Sequence, residues 1–479
     1  MLNFRLQVFK SVAKNLNFNK ASSELLVTLP TVTNHIRDLE RLFNLRLFER
    51  FENQLSLTRP GKVLLNYTEK YFSLLRGDIV PPSLLPRSKS RSKSFLHHLV
   101  CSSCGKVHPI KKINQTCLSC NKPLITEYSI QHFDKYGLFL RPSTMWRYRE
   151  MLPVMEDENI VSLGEGMTPL LQVDNLAQTL GLDKLLIKDE SLNPTGSFKA
   201  RGLSAAVSKA KDLGITKCAI PTAGNAGGAL SAYCAKAKIE AHVFMPRDTP
   251  EVFKQECLYH GAKLTLVEGN INHCGKLVEE KLTEEGWFNM STLKEPYRIE
   301  GKKTMGYEIA EQLDWVLPDV LIYPTGGGTG LIGIWKAFEE MENLGWIGAK
   351  RPRMIAVQAQ GCAPIVNAYQ QGLNSSTNIQ DPHTIANGLL VPKPLGDFLI
   401  LDVLQQSNGI AVAVTDQEIL SGVKLLASKE GMLVAPEGGA LIAGLQNLLS
   451  EGAIHPHEKI VLINTGHGHK YLEVMPHSG

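Results

Sequence analysis

The chain has 479 residues, of which 43% are hydrophobic and 20% are charged, so it is long enough for about three globular domains and too apolar for a disordered chain. No apolar run approaches the roughly 20 residues that a membrane helix needs, and the N-terminus lacks a secretory leader, so we expect a cytoplasmic protein with no membrane partner. Residues 1–95 carry sixteen Lys or Arg against seven Asp or Glu, while the whole chain has a net charge of only +4. This basic N-terminal part suggests a polyanionic partner, although a solvated basic surface would have the same composition.

Residues 1–60 have the periodicity of several short helices. Apolar residues recur at helical spacing between positions 4 and 13, a second short helix is predicted over 21–26, and Pro30 is placed to open a third. One face of that third helix is apolar, and the other carries Thr31, Thr33, Asn34 and Arg37. A tight turn before a polar-faced third helix is typical of a helix-turn-helix, and residues 51–58 are predicted to form a small wing.

A longer set of residues within positions 1 to 65 makes this pattern more specific. Its members are Phe9, Phe18, Ala21, Leu25, Val32, His35, Ile36, Leu39, Glu40, Leu47, Phe48, Arg50, Leu57, Thr58 and Gly61. Together they resemble the DNA-binding domain of LysR-type regulators. The resemblance implies double-stranded DNA as a partner and a homodimer that pairs through the next helix, about 62–76, which completes a domain over residues 1–76. An enzyme-like body follows where that family usually has an effector-binding domain.

The next two segments differ sharply in composition. Residues 77–96 are rich in Pro, Ser, Arg and Lys and are predicted to form a flexible linker. Residues 97–130 then hold two Cys-x2-Cys pairs, formed by Cys101, Cys104, Cys117 and Cys120. Two close thiolate pairs suit tetrahedral zinc, so a zinc-ribbon-like segment with structural zinc is predicted. The alternative is two buried dithiols without a metal.

The remaining residues, 131–479, have the pattern of an α/β domain. Apolar, β-rich runs alternate with helical ones, and the runs lie at 185–187, 218–220, 241–244, 264–267, 320–323, 354–357 and 460–463. Such strands between helices predict parallel sheets that are covered by helices on both faces.

Two elements of this domain are typical of a pyridoxal-phosphate enzyme. Lys199 lies in the small-residue run Pro194-Thr195-Gly196-Ser197-Phe198-Lys199, and a glycine cradle lies at residues 326–330, ahead of a helix predicted over 331–340. A lysine can form a Schiff base with the cofactor, and the backbone N–H groups of Gly326, Gly327, Gly328 and Thr329 can hold its phosphate at the helix N-terminus. An exposed lysine in a turn and a plain helix-starting turn are the alternatives.

With four further motifs, this domain resembles threonine synthases, of the tryptophan-synthase-β-like, fold-type II group of pyridoxal-phosphate enzymes. These motifs are Gly164-Glu165-Gly166-Met167-Thr168-Pro169-Leu170, Thr222-Ala223-Gly224-Asn225-Ala226, Arg298-Ile299-Glu300-Gly301-Lys302-Lys303-Thr304 and Asn464-Thr465-Gly466-His467-Gly468. The resemblance runs from about Cys101 to the C-terminus. It implies that Asn225 faces the 3′-oxygen of pyridoxal phosphate and that Thr465 hydrogen-bonds the pyridine nitrogen.

The same resemblance implies a substrate, O-phospho-L-homoserine, which is converted with water into L-threonine and phosphate. Its contacts are expected from Thr222, Ser291, Thr292, Arg298 and Lys303, because a second phosphate needs basic and hydroxyl groups. Ala200 departs from the aspartate that threonine synthases often have after the lysine. Two alternatives stay open: a serine or threonine dehydratase, and a transcription regulator whose body only senses a ligand.

Overall fold

In the computed structural model the chain forms two units, which divide between residues 91 and 92. The structure describes residues 2–43, 45–51, 54–75, 93–129, 133 and 135–475. The predicted linker, 77–96, lies outside the described residues as far as residue 92. Its last residues are already packed, because Ser94 is buried and donates its hydroxyl to the carbonyl of Leu152. The folded part of the second unit therefore begins before the predicted end of the linker.

The N-terminal unit contains the predicted helices and wing. Its elements are α1 (Leu2–Asn15), α2 (Phe18–Glu24), α3 (Leu29–Phe43), the antiparallel strands β1 (Phe48–Phe51) and β2 (Gln54–Leu57), and α4 (Arg59–Leu75). Apolar side chains of α1, α2, α3 and β1 form one small core. Helix α4 begins three residues before its predicted start, and Thr58 caps it by accepting a hydrogen bond from Gly61 N at 3.1 Å. A Cβ on Gly61 would lie 2.1 Å from the carbonyl oxygen of Leu47, so this junction requires glycine.

The second unit begins with a small antiparallel sheet that carries the four clustered cysteines. Its strands are β3 (Leu96–Cys101), β4 (Val107–His108) and β5 (Leu124–Tyr128), in the order β4-β3-β5. We call residues 93–129 the four-cysteine segment. Cys101 ends β3 and Cys104 lies in the turn that follows it, whereas Cys117 and Cys120 lie before β5.

Two further sheets form the body of the second unit. A four-stranded parallel sheet has the order β10-β9-β8-β11, and a six-stranded sheet has the order β14-β13-β12-β15-β7-β6, in which only β6 is antiparallel. The strands are β6 (Leu170–Gln172), β7 (Leu185–Asp189), β8 (Lys217–Pro221), β9 (Glu240–Pro246), β10 (Lys263–Val267), β11 (Phe288–Asn289), β12 (Val320–Pro324), β13 (Arg353–Ala359), β14 (Ile410–Val414) and β15 (Ile460–Asn464). All seven predicted apolar runs are strands, which confirms the α/β prediction.

Helices cover these sheets. They are α5 (Asp174–Leu180), α6 (Lys199–Asp212), α7 (Asn225–Ala237), α8 (Glu251–Tyr259), α9 (Ile271–Glu285), α10 (Arg298–Gln312), α11 (Thr329–Asn343), α12 (Pro364–Gln370), α13 (Asp397–Gln406), α14 (Asp416–Glu430) and α15 (Pro436–Ser450). Short 3-10 helices lie at Lys135–Leu140, Met145–Met151, Asp157–Asn159, Glu190–Leu192, Pro194–Gly196 and Gly468–Val474. Among the described helices, none has the length and apolar character that crossing a bilayer requires.

The predicted site residues of the body follow the carboxyl ends of its strands. The lysine turn follows β7, the glycine cradle follows β12, and Thr465 comes directly after β15. From the smaller sheet, Asn225 follows β8 and Ser291 follows β11. Crevices at the carboxyl ends of parallel strands are where α/β proteins bind ligands, so the topology itself assembles the site.

Candidate active site

The lysine turn and the turn after β15 are joined backbone to backbone. Phe198 N donates to Thr465 O at 3.1 Å, and His467 N donates to Gly196 O at 3.1 Å. Lys199 is the first residue of α6, and Thr465 is buried. The structure thus brings together the two residues that the sequence places 266 positions apart.

The surroundings of Lys199 favour its neutral amine. Burial lowers the pKa of Lys199 to about 8, and the nearby positive charge of Arg298 acts in the same direction against the opposing charge of Glu437. Its Nζ lies 4.5 Å from the centroid of the Phe198 ring. A lysine that is partly neutral near pH 7 can act as a nucleophile toward a carbonyl group.

The glycine cradle forms the tight turn between β12 and α11. Gly328 has φ +70°, which glycine adopts readily, and Thr329 is the first residue of the 15-residue helix α11. A Cβ on Gly326 would lie 2.2 Å from the carbonyl oxygen of Gly388, so a larger residue would not fit there. Free N–H groups at the N-terminus of a long helix bind anions, and this turn therefore fits a phosphate group.

Asn225 begins α7 and belongs to a small polar cluster. Its Nδ2 donates to Tyr471 Oη at 3.1 Å, and its Oδ1 accepts from Lys470 Nζ at 3.1 Å. Lys470 also pairs with Glu256 at 2.8 Å. Thr222 lies just ahead in the same loop, where its Oγ1 accepts from Gly224 N at 3.2 Å. These contacts hold the Thr222–Asn225 loop beside the final 3-10 helix.

Arg298 is the first residue of α10 and is fully buried with spare donors. Its Nη1 donates to Met290 O at 2.6 Å and lies 3.5 Å from Thr292 Oγ1, whereas its Nε and Nη2 have no partner among the described residues. Thr292 lies against the cradle, since a Cβ on Gly327 would be 3.0 Å from its Cγ2. Ser291 Oγ is held by Asn289 at 2.5 Å. Of the predicted substrate contacts, Ser291, Thr292 and Arg298 therefore lie together next to the cradle.

Lys303 lies apart from the other predicted substrate contacts. Its Nζ pairs with Glu300 at 2.6 Å and Glu340 at 2.9 Å and lies 3.9 Å from the ring centroid of Tyr128, all in the buried interior. These contacts turn its ammonium toward the four-cysteine segment and away from Arg298. Lys302, which the sequence interpretation missed, extends instead to the hydroxyl of Thr329 in the cradle.

Glu437 is a second residue that the sequence interpretation missed. It is buried on α15, its Oε1 accepts from Gly388 N at 2.6 Å, and burial raises the pKa of its carboxyl group. Lys199 is the cation whose charge opposes that shift. The segment that contains it, Ala435-Pro436-Glu437-Gly438-Gly439, has small residues around a single acid, which is the only sequence signal that could have pointed to it.

The four clustered cysteines converge in the four-cysteine segment. Their sulfur atoms all lie within 4.8 Å of one another, with Sγ–Sγ distances of 3.3 Å for Cys101–Cys120 and 3.7 Å for Cys104–Cys117. Tetrahedral zinc with Zn–S bonds of about 2.3 Å needs sulfur atoms about 3.8 Å apart, so the arrangement fits this ion. Although burial opposes ionisation, N–H groups of Cys104 and Ser103 lower the pKa of Cys101 to about 6.

The predicted DNA-reading face of α3 is only partly free. Asn34 and Arg37 are exposed, and Val32, Ile36 and Leu39 on the opposite side are buried. The hydroxyl of Thr33 is bonded to Leu29 O of its own helix at 3.0 Å, and the hydroxyl of Thr31 lies 2.8 Å from that of Thr28. Asn34 and Arg37 are thus the residues of this face that are best placed to reach a ligand.

Comparisons with known proteins agree with both units. Residues 161–466 match the family described as pyridoxal-phosphate dependent enzyme, and residues 4–62 match the family described as bacterial regulatory helix-turn-helix protein, lysR family. The chain is 38% identical to the threonine synthase of Methanocaldococcus jannaschii over 77% of this chain and 92% of that relative. It is 37% identical to the threonine synthase of Methanosarcina acetivorans, over 78% of this chain and 92% of that relative.

Solved structures show the same fold. Maize serine racemase matches with a TM-score of 0.55 at 22% identity and covers 63% of this chain and 88% of that structure. Threonine deaminase isoform 2 from Solanum lycopersicum matches with a TM-score of 0.56 at 21% identity, and the match covers 76% of this chain and 93% of that structure. The body therefore has the fold of these two enzymes.

Proposed function

The chain belongs to the threonine synthase family of pyridoxal-phosphate-dependent enzymes and carries a LysR-type helix-turn-helix domain, and from this premise we propose that it converts O-phospho-L-homoserine and water into L-threonine and phosphate. The observation that carries this proposal is Arg298, which is buried beside the glycine cradle with two of its nitrogens unpartnered among the described residues. A dehydratase that acts on serine or threonine brings only the phosphate of the cofactor. A substrate that carries its own phosphate accounts for the buried guanidinium of Arg298 next to the site of the cofactor phosphate.

The residues present fit pyridoxal phosphate as the cofactor. Lys199 has the lowered pKa that a covalent link needs, and the cradle fits the phosphate. Thr465 accepts from Phe198 N of the lysine turn, and Asn225 is joined to that turn by Lys470, which donates to both Asn225 Oδ1 and Thr195 O. When bound, the cofactor withdraws electrons from the α-carbon of an amino-acid substrate.

The chain's own groups supply the remaining steps. Arg298, with the Thr292 hydroxyl beside it, binds the phosphate that leaves from the γ-carbon and orients it. Lys199 Nζ, once free of the cofactor, takes up and returns protons at the α-, β- and γ-carbons of the substrate. Its pKa of about 8 suits both directions of proton transfer near neutral pH.

Replacing Arg298 by alanine should affect the phosphorylated substrate selectively. A charge-assisted contact to phosphate contributes about 1.5–3 kcal/mol, so the Michaelis constant for O-phosphohomoserine should rise by roughly 10- to 150-fold. Residual dehydration of threonine should change far less. Steady-state kinetics on both substrates test this, with Arg353→Ala as the control, since Arg353 lies at the opposite end of the sheet and pairs with Glu458. Equal losses on both substrates would make Arg298 a structural residue and favour a dehydratase.

We further propose that the helix-turn-helix binds double-stranded DNA, with Asn34 and Arg37 entering a major groove and two chains pairing through α4. The support is the family match, the basic composition of this part of the chain, and the exposure of both side chains. A chain that combines Lys199, the glycine cradle and this domain is suited to both roles, enzyme and regulator.

Arg37→Ala should weaken binding to the preferred site by about 1–3 kcal/mol, because one base or phosphate contact is lost. Arg247→Ala, which removes an exposed arginine of the other unit, is the matched control and should bind as the wild type does. Genome-wide capture of bound DNA identifies the preferred site, and gel-shift titration at two salt concentrations then measures the affinity of both variants for it. Occupancy that is independent of sequence, or an Arg37→Ala variant that binds every site unchanged, would remove α3 as the reading helix.

A further inference from the structure

Two buried cations of the body lack an acidic partner. The buried lysines and arginines of the described residues are Arg147, Arg149, Lys188, Arg201, Lys209, Arg298, Lys302 and Lys303. Six of these have a carboxylate within 4.0 Å, and the two exceptions are Arg298 and Lys302. Burial lowers the pKa of both groups, and the buried carboxyl of Glu295 opposes this shift only from beyond 4.0 Å. A buried charge without a close counterion is strongly unfavourable, so both groups are suited to a further anion bound beside them.

Lys302 is directed at the glycine cradle. It is fully buried on α10, one turn after Arg298, and its Nζ donates to the hydroxyl of Thr329, the first residue of α11. Its Nζ also lies 4.8 Å from the centroid of the Phe198 ring, the same ring that Lys199 approaches. Tight packing fixes this direction, since a Cβ on Gly202 would lie 3.1 Å from Lys302 Cε.

The cradle and the lysine complement each other chemically. A glycine turn at a helix N-terminus offers N–H groups and a partial positive charge, but no full charge. A phosphate monoester carries close to two negative charges near pH 7. Because Lys302 donates to the Thr329 oxygen, the hydroxyl hydrogen of Thr329 is free to point into the cradle. Burial and the positive charges of Lys199 and Arg298 lower the pKa of the Lys302 amine, and a phosphate in the cradle would oppose this shift and favour the ammonium form. With an anion bound, the lysine therefore adds a positive charge and orients one more donor.

We propose that Lys302 is a ligand of the phosphate group of the cofactor, and that it holds this phosphate as the dianion, directly and through Thr329. The neighbouring guanidinium of Arg298 is left for the phosphate of the substrate. This inference rests on the cofactor part of the proposed function and is independent of which substrate is used.

The test is cofactor binding by the full-length apoprotein. Lys302→Gln keeps a donor for Thr329 but removes the charge, and Lys302→Met removes both. Both variants should bind pyridoxal phosphate about ten- to a hundredfold more weakly, as expected for the loss of a charge-assisted contact. Pyridoxal, which lacks the phosphate, should bind them and the wild type equally. The apo form of Lys302→Met should melt no lower than apo wild type, because the variant removes a buried amine that has no carboxylate within 4.0 Å.

A measurement on the wild-type holoenzyme avoids any folding defect of the variants. The phosphorus NMR signal of the bound cofactor should stay that of the dianion as the pH falls through about 6, where a free phosphate monoester takes up a proton. Titration of that signal at the ordinary pH would overturn the proposal. So would unchanged affinity of both variants for pyridoxal phosphate, or a change confined to the Michaelis constant of the phosphorylated substrate, which would assign Lys302 to the substrate. Failure to release phosphate from O-phosphohomoserine would contradict the proposed reaction and leave these results unaffected.

Discussion

Replacing Lys199 by alanine is expected to abolish turnover, by at least about 10³-fold, while the fold is kept. The change removes both the amine that binds the cofactor and the group that moves protons at the substrate carbons. Phosphate release measures turnover, and circular dichroism checks the fold. Lys211→Ala is the matched control, because Lys211 lies on the same helix, α6, and its side chain is exposed. Borohydride should fix the cofactor to the peptide that contains Lys199, and a label on any other lysine would contradict the site assignment.

The lowered pKa of Lys199 also predicts how the apoprotein takes up the cofactor with pH. Only the neutral amine reacts, and with a pKa of about 8 roughly a tenth of Lys199 is neutral at pH 7, against less than about 0.1% for an ordinary lysine. The rate of cofactor capture should therefore rise with pH and level off above about pH 8. A rate that keeps rising to about pH 10 would show that burial and Arg298 do not activate this amine.

Removing one cysteine of the four-cysteine segment is expected to have the second largest effect. Cys101→Ser should lose the metal, which we propose to be one zinc ion per chain, and should lower the melting temperature, because structural zinc contributes several kcal/mol or more to folding. Elemental analysis and thermal melts measure both quantities. Cys274→Ser, at a buried cysteine of α9 outside the cluster, is the control. Protein purified without chelator that contains no metal would favour the two-dithiol alternative.

The effect of that substitution should reach the active site through β5. This strand begins four residues after Cys120 and ends at Tyr128, whose hydroxyl donates to Glu300 Oε2 at 2.7 Å. Glu300 lies on α10 between Arg298 and Lys302 in sequence. A loosened four-cysteine segment therefore frees one end of the helix that carries both cations, and the Michaelis constant for the phosphorylated substrate should rise together with the loss of metal.

The parts of the fold that follow from local patterns were predictable from the sequence. The seven apolar runs are strands because parallel strands buried on both faces need uninterrupted apolar residues. The short strands β6 and β11 were not predicted, because two or three residues are too few to show the alternation of a strand. Strand β14 (Ile410–Val414) was not predicted either, although its composition is that of a strand. The start of α4 was placed too late because the Thr58 cap and the close approach at Gly61 depend on the wing.

The different contacts of Lys302 and Lys303 show what the sequence did not reveal about the site. Residues 298–310 of α10 are all buried, so no polar face distinguishes the side that lines the site. The spacing did contain a usable signal: Arg298 and Lys302 are four residues apart and share a helix face, whereas Lys303 is five residues away. Lys303 instead shares a face with Glu300, three residues before it, and the structure pairs these two.

We propose that this chain releases phosphate from O-phospho-L-homoserine and forms threonine. The most direct measurement uses the purified full-length holoenzyme and follows both products in the same sample, with threonine and serine offered separately as substrates for dehydration. We predict one threonine formed for each phosphate released, and dehydration that is much slower. Rapid formation of 2-oxo acids from threonine or serine, without phosphate release from O-phosphohomoserine, would contradict the account.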